Sequence, residues 1–138
     1  MLIYSIKVHH DAETDIERLW DTEPDAAALV VALLEEAEND QELLESLTIK
    51  DFGIHGTEKI HVDKWVELHK AGKNVWRVKI WELEDLGLQY RIIYALDPRT
   101  TRYHVLAVLH RDFNYDTNDA RSKRLIAAYD ELGIPSYR

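Results

Sequence analysis

Three consecutive β-type segments in the second half of this 138-residue chain constrain its fold more than any other feature. Alternating side-chain character predicts strands over Val75–Leu83, Leu88–Asp97 and Tyr103–Arg111. Short turn-forming sequences separate them, Asp85-Leu86-Gly87 in the first gap and Asp97-Pro98-Arg99-Thr100 in the second. Because short connections join antiparallel neighbours, the three segments predict a meander.

The rest of the chain predicts one more strand and several helices. Met1–Val8 alternates and predicts a strand, whereas residues 48–64 have no readable pattern. Apolar spacing and capping residues predict helices over 12–20, from Pro24 to about Ala37, over Asp63–Ala71 and over Asp119–Leu132. Asn39 and Glu42 are three residues apart, like a capping box, and predict a further short helix through Leu47. The expected fold is α+β, with an N-terminal helical hairpin and a C-terminal helix packed on one face of a sheet of about four strands.

Composition narrows the class of protein. The length fits a single domain over residues 1–138, and the absence of cysteine excludes disulfide scaffolds, thiol nucleophiles and cysteine metal sites. No apolar run approaches the ~20 residues that cross a bilayer, and the N-terminus does not resemble a signal peptide. We therefore expect a cytoplasmic protein without a membrane partner.

Charge is distributed unevenly along the chain. Residues 1–63 carry 4 basic and 16 acidic side chains, residues 64–138 carry 13 and 10, and the net charge is −9. Such an acidic total argues against nonspecific nucleic-acid binding. The asymmetry indicates that polar partners would meet the C-terminal half.

Basic side chains share one predicted sheet face. Strand alternation places Arg77, Lys79 and Trp81 opposite an apolar set, and Arg91 joins them from the next strand. One interpretation is a solvated face with weak ion pairs. The other is an anion site, because arginine matches phosphate geometry and lysine supplies a point charge. Trp81 would there be positioned to stack on a base or to contact a partner.

A second cluster follows the last predicted strand. His110 can move protons near neutral pH, Arg111 can hold phosphate, and Tyr115 can orient a reacting group or stack on a base. The alternative is a structural cluster in which Tyr115 packs on the last helix and Asp112 pairs with Arg111. No nucleotide-binding glycine motif or HExxH pattern occurs, so we expect no cofactor and no metal.

Together these segments resemble the RelE/ParE toxin superfamily. Residues 72–83 (GKNVWRVKIWEL), 88–95 (LQYRIIYA) and 105–111 (VLAVLHR) followed by Tyr115 are similar, in order and spacing, to three strand motifs of that family. The resemblance implies the toxin of a bacterial type II toxin–antitoxin module, RelE/HigB-like, with helices on a curved antiparallel sheet. It also implies a metal-independent mRNA endonuclease that acts on the ribosome and that a cognate antitoxin neutralises in a hetero-oligomer.

The resemblance also implies roles for individual residues. Arg91 would clamp the scissile phosphate and Arg111 would make a second phosphate contact. His110 would act as acid or base, Tyr115 as a stacking or proton-relay residue, and Lys79 as a further proton-transfer group. Arg77, Lys79 and Trp81 would bind the RNA.

The acidic net charge departs from the basic composition common among ribosome-dependent toxins. It keeps two alternatives open. One is a ParE-like inhibitor that binds DNA gyrase, and the other is a catalytically silent module that binds an antitoxin.

Overall fold

A computed structural model describes residues 2–136 and contains five strands and six helices among them. The strands are β1 (Ser5–Val8), β2 (Ile60–Lys64), β3 (Val75–Ile80), β4 (Tyr90–Asp97) and β5 (Arg102–His110). The helices are α1 (His10–Thr22), α2 (Pro24–Glu38), α3 (Gln41–Ser46), α4 (Val66–Lys70), α5 (Trp81–Asp85) and α6 (Ala120–Glu131), and a 3-10 turn spans Arg111–Phe113. None of these helices is both long and apolar enough to cross a membrane.

The strands form one mixed sheet in the order β1-β5-β4-β3-β2. The meander β3-β4-β5 is antiparallel as predicted, β2 adds a fourth antiparallel strand at one edge, and β1 lies parallel to β5 at the other edge. The α+β class is therefore confirmed. The expectation of about four antiparallel strands is wrong, because β2 arises in the unreadable stretch and β1 runs parallel.

Local sequence signals explain where the N-terminal helices begin and end. The His9 side chain caps α1 by accepting a hydrogen bond from the Asp11 amide, and Pro24 occupies the first turn of α2, where its missing N–H costs nothing. Asp40, and not Asn39 as the sequence suggested, caps α3 by accepting from the Leu43 amide. These caps fix a helical hairpin that lies against β1 and β5.

The core lies on both faces of the sheet. On one face, α1, α2 and α3 pack on apolar strand residues that include Trp76, Val78 and Ile92. On the other, Leu125 and Tyr129 of α6 and Trp65 pack on a smaller group of strand residues: Val75, Ile93, Ala95, Leu106, Ala107 and Leu109. The expectation that helices cover one face only is wrong, since α6 covers part of the second face and leaves the rest open.

The connection between β3 and β4 also differs from the prediction. The strand expected over Val75–Leu83 ends at Ile80, and the chain continues directly into helix α5 instead of a hairpin turn at Asp85-Leu86-Gly87. Leu83 is buried inside this short helix, and Gly87 follows it with φ +74°. The apolar spacing of Trp81 and Leu83, which predicted the end of a strand, is therefore equally compatible with a turn of amphipathic helix.

A β-bulge interrupts β5. Tyr94 of β4 pairs with Val105 and Ile93 pairs with Ala107, which leaves Leu106 without a partner on that strand. Both Leu106 and Ala107 then join the core on the α6 side. A bulge reverses the alternation of side chains along the remainder of a strand. This reversal decides where the side chains at the end of β5 point.

Candidate anion-binding cleft

The open part of the second sheet face forms a cleft of about 460 Å³. Strands β3 and β4 form its floor, the start of α4 forms one wall, and the turn after β5 forms the other. Five of the seven sequence-predicted site residues line it: Arg77, Lys79, Arg91, Arg111 and Tyr115. Alternation on adjacent strands therefore brings the predicted cations together, and the fold encloses them.

Two arginines are buried in the floor and already have partners. Arg77 is 7% exposed, and its NH2 lies 3.5 Å from an Asp63 carboxylate oxygen. Arg91 is 4% exposed, with NH2 2.9 Å from Glu84 Oε1 and NH1 donating to the Tyr90 carbonyl oxygen at 3.1 Å. Buried guanidinium groups held this way are fixed in orientation before any ligand arrives.

Lys79 and Arg111 are the less constrained cations. In the part of the chain that the structure describes, neither side chain has an ion pair, and the Lys79 amine lies 5.7 Å from the centre of the Trp81 ring. Burial lowers the pKa of Lys79, and Arg77, Arg91 and Arg111 lower it further against the opposing effect of Glu84. An ammonium among three guanidinium groups gives up its proton more easily than a solvated lysine.

Tyr115 closes the cleft opposite the strands. It has φ +54° and follows Asn114 at φ +52°, so two consecutive residues in the left-handed region form the turn that carries it. Its ring packs edge-on against Trp65, at 5.4 Å between ring centres, and in a tilted arrangement against Phe113, at 4.6 Å. Burial raises the pKa of the Tyr115 hydroxyl, and the nearby Arg77 and Arg91 partly offset this, so it remains a proton donor at neutral pH.

Acidic residues on the cleft wall were missed by the sequence analysis. Asp63 lines the cleft and is held by Arg77 and by its hydrogen bond from the Lys64 amide at 2.8 Å. Glu67, in the first turn of α4, also lines the cleft and is exposed. The available signal was alternation over residues 60–64, which a predicted helix over Asp63–Ala71 had obscured.

Trp81 does not line the cleft. It was predicted on the cationic strand face, but it begins α5, and its indole N–H donates to the Gly53 carbonyl oxygen at 2.9 Å. Its ring lies parallel to the His61 ring at 5.7 Å. Trp81 thus fixes the segment of residues 47–59 against the end of β3 at the edge of the site.

His110 lies on the opposite face of the sheet. It pairs with Tyr90, contacts the Tyr90 ring edge-on at 5.3 Å, and lines a separate groove beside α1. The reason is the bulge at Leu106: uninterrupted alternation from Val105 would have turned His110 toward the cleft. His110 instead caps the 3-10 turn by accepting from the Asp112 amide at 3.1 Å.

One cluster among the described residues could hold a metal ion. The ligand atoms of His9, His10 and Asp11 lie within 4.8 Å of one another at the start of α1. His9 Nδ1 is occupied as the helix cap, and the Arg124 guanidinium lies 4.0 Å from Asp11. These contacts fit a helix N-terminus that is held to α6, and the cluster is remote in sequence from the cleft residues.

The geometry of the cleft therefore suits a ligand that carries phosphate groups, because it is lined by two buried and hydrogen-bonded guanidinium groups, by two cations without an ion pair among the described residues and by an aromatic side chain. In comparisons with known proteins, no family model, no curated protein and no solved structure matches this chain.

Proposed function

We propose that this protein is a toxin of the RelE/HigB type that binds single-stranded RNA in the cationic cleft and cleaves mRNA on the ribosome without a metal. The observation that carries the proposal is the convergence of Arg77, Lys79, Arg91 and Arg111 around one cleft of about 460 Å³. These residues come from the three segments that carry the resemblance.

The cations have distinct proposed roles. Arg91 and Arg77 are buried and oriented, so they are suited to bind the non-bridging oxygens of the scissile phosphate. Arg111 is exposed at the rim and is suited to a neighbouring phosphate. The Tyr115 ring would contact a base or the ribose beside the reacting phosphorus.

The proposed chemistry is a transesterification. The ribose 2′-oxygen bonds to the adjacent phosphorus, the bond from phosphorus to the 5′-oxygen breaks, and the products are a 2′,3′-cyclic phosphate and a 5′-hydroxyl. A base takes the proton of the 2′-hydroxyl, and an acid gives a proton to the leaving oxygen. Lys79, whose pKa is lowered chiefly by burial, is suited to be the acid, and the Glu67 carboxylate is suited to accept the first proton.

The distribution of charge is compatible with an RNA target. The acidic side chains of residues 1–63 are concentrated on α1, α2 and α3, which lie on the sheet face opposite the cleft. The sheet separates the two surfaces, so phosphate can approach the cleft without meeting the acidic helices. The overall charge of −9 then reflects the surface turned away from RNA.

The element order also supports the proposal. A strand, a helical hairpin, an antiparallel meander and a final helix follow one another, and the first strand lies beside the last. Strand β2 and the packing of α6 on the second face are additions to the expected arrangement. In a toxin–antitoxin module, this chain would also bind a cognate antitoxin, and its site of action would be the cytoplasm.

A binding-only role is the second candidate. Asp63 and Glu84 already neutralise the two buried arginines, and His110 faces away from the cleft. The cleft could then serve as a docking site for an acidic segment of an antitoxin or of DNA gyrase, as the ParE-like alternative requires. The two candidates differ in whether RNA is cut.

The test is inducible expression in bacteria, with growth, protein synthesis, mRNA ends and DNA supercoiling followed together. We expect rapid growth arrest and new mRNA 5′ ends at codon-phased positions. Lys79→Met removes the proposed acid and should relieve the arrest at equal soluble expression, whereas Lys7→Met, an exposed change on β1, should not. Intact mRNA with altered supercoiling would support the gyrase alternative, and normal growth with soluble wild-type protein would leave the binding-only role.

A further inference from the structure

A buried histidine lies beside the floor of the cleft, on the same face of the sheet as Lys79. His61 lies on β2, pairs with Lys79 of β3 and is 7% exposed. Trp81 covers one side of its ring in a parallel stack at 5.7 Å between centres and 6° between planes. His61 was not among the predicted site residues, because the strand that carries it was not predicted.

His61 holds Arg77 through two atoms. Arg77 NH1 lies 3.3 Å from His61 Nδ1 and donates to the His61 carbonyl oxygen at 3.0 Å. Guanidinium nitrogens act only as donors, so Nδ1 must be the acceptor and the ring must be neutral, with its proton on Nε2. Nε2 is buried, has no hydrogen bond among the described residues, and lies 3.8 Å from Asp51 Oδ1.

Charged groups from β2, β3 and the segment before β2 act on the ring, whereas α5 packs on it through the uncharged ring of Trp81. Arg77 and Lys79 come from β3, Asp63 from β2 itself and Asp51 from the segment that precedes β2. Burial lowers the pKa of His61, Arg77 and Lys79 lower it further, and Asp63 and Asp51 act in the opposite direction. His61 is therefore predominantly neutral in the free protein at pH 7.

We propose that His61 is a positioning residue that holds Arg77 through Nδ1 in the free protein and takes up a proton when a phosphate oxygen replaces Nδ1 as the acceptor of that Arg77 N–H. The proposal rests on the proposed function only in requiring that the cleft bind phosphate, and it does not require RNA cleavage. The proton would add to Nδ1, and the resulting imidazolium would pair with Asp51 through Nε2.

Two physical effects of phosphate binding act in the same direction. A phosphate oxygen competes with Nδ1 for the N–H groups of Arg77, which frees the Nδ1 lone pair for a proton. The negative charge also offsets the field of Arg77 and Lys79 that disfavours the imidazolium. Asp51 lies close enough to stabilise the charged ring once it forms.

The sign of the pH dependence follows from linkage. If the pKa of His61 is higher in the complex than in the free protein, the complex binds more protons, so the affinity for phosphate rises as the pH falls. The increase begins near the pKa of the complex and is complete below the pKa of the free protein. An increase of one unit corresponds to an increase of about tenfold in affinity.

The experiment is an NMR titration of His61 in the intact protein, with and without saturating single-stranded thymidine trinucleotide. This probe lacks a 2′-hydroxyl and is not cleaved, and its phosphodiesters keep one charge throughout the range. Sulfate serves as a second probe without a base. We expect the pKa of His61 to lie below 6.5 in the free protein and to rise by about one unit with either probe.

Matched variants separate positioning from protonation. The Asn side chain of His61→Asn can accept from Arg77 but does not titrate, so affinity at pH 8 should be kept and the rise at pH 5 should be lost. His61→Leu should lose both. His104→Asn is the control, because His104 is a partly buried histidine at the other end of the sheet, where it pairs with Lys7 of β1.

Each outcome has one meaning. A raised pKa of His61 in the complex, together with a pH-independent His61→Asn affinity, supports the proposal. Binding with an unchanged pKa of His61, or a pH dependence that persists in His61→Asn, overturns it and leaves the cleft intact as a phosphate site. Failure of both probes to bind at pH 5 and pH 8 overturns the phosphate-binding cleft and the proposed function with it.

Discussion

The Asp15 carboxylate accepts a hydrogen bond from the Val108 amide at 3.0 Å, from a helix to a strand 93 residues further along the chain. Strand β1 ends at Val8, opposite Val105, so β5 has no strand neighbour beyond that point on this side. Helix α1 follows β1 and supplies Asp15 in its place. Arg124 of α6 pairs with the same oxygen at 2.7 Å and completes the link between both helical layers.

Loss of this carboxylate should destabilise the fold. Asp15→Ala leaves the Val108 amide and the Arg124 guanidinium without their common partner, and we expect a loss of about 1–3 kcal/mol in the free energy of unfolding. Urea denaturation followed by tryptophan fluorescence measures it. Glu17→Ala, an exposed change on the same helix, is the control and should stay within ~0.5 kcal/mol of the wild type. Equal stability of the two variants would contradict a structural role for Asp15.

The same region shows where reasoning from sequence succeeds and where it fails. Alternation correctly predicted β4, β5 and the shared face of Arg77, Lys79 and Arg91, because period-two patterns are local. The bulge at Leu106 arises in the pairing of β5 with β4, and the part of β5 beyond it bonds to Asp15, which is distant in sequence. The bulge could not be predicted from a local sequence pattern. It reverses the alternation of side chains, so His110 lies on the face opposite the cleft.

Strand β2 was missed for a related reason. Its residues form an edge strand between turns, and residues 51 and 52 bond to Val62 on its outer side. From sequence alone, Asp63 and Lys64 are as compatible with the start of the following helix as with the end of β2. The cleft cations were therefore predictable, whereas the residues that hold them from β2 and α5, His61, Asp63 and Glu84, became visible only when the strands were paired.

Arg111 should contribute one phosphate contact when nucleic acid binds in the cleft. Arg111→Ala removes an exposed cation from the cleft rim without leaving a buried partner, so the fold should be unaffected. For single-stranded nucleic acid, we expect the slope of log affinity against log salt concentration to fall by about 0.7. Fluorescence anisotropy with a labelled single-stranded oligonucleotide at several salt concentrations measures this slope.

Two controls accompany that measurement. Arg102→Ala removes an exposed arginine at the opposite end of β5 and should leave the slope unchanged. His110→Ala should also bind like the wild type, because His110 lies in the groove beside α1. An effect of His110→Ala as large as that of Arg111→Ala would mean that nucleic acid also contacts the groove beside α1, and it would contradict binding in the cleft alone.

Gly53 should tolerate substitution less well than Gly56. Both residues have positive φ, +75° and +77°, so alanine is strained at either position. A Cβ at Gly53 would lie 1.8 Å from the Ile60 carbonyl oxygen, whereas nothing lies within 4 Å of one at Gly56. We expect Gly53→Ala to lose about 1–3 kcal/mol more stability than Gly56→Ala, in the range of overpacked sites. Equal losses in urea denaturation would mean that the segment shifts to accommodate the methyl group.

Stability at acidic pH should depend on Asp119, the N-cap of α6. Its carboxylate accepts from the side chain and the backbone amide of Arg121, and these bonds lower the pKa of Asp119 to about 2. Because an unfolded Asp has a pKa of about 3.9, this contribution is complete above pH ~4 and is lost as the pH falls toward 2. Asp119→Asn keeps a good capping side chain but does not titrate, so its urea midpoint should fall less steeply between pH 4 and pH 2 than that of the wild type. Asp116→Asn in the preceding turn is the matched control, and an Asp119→Asn midpoint that falls in parallel with the wild type would show that the Arg121 contact does not persist in solution.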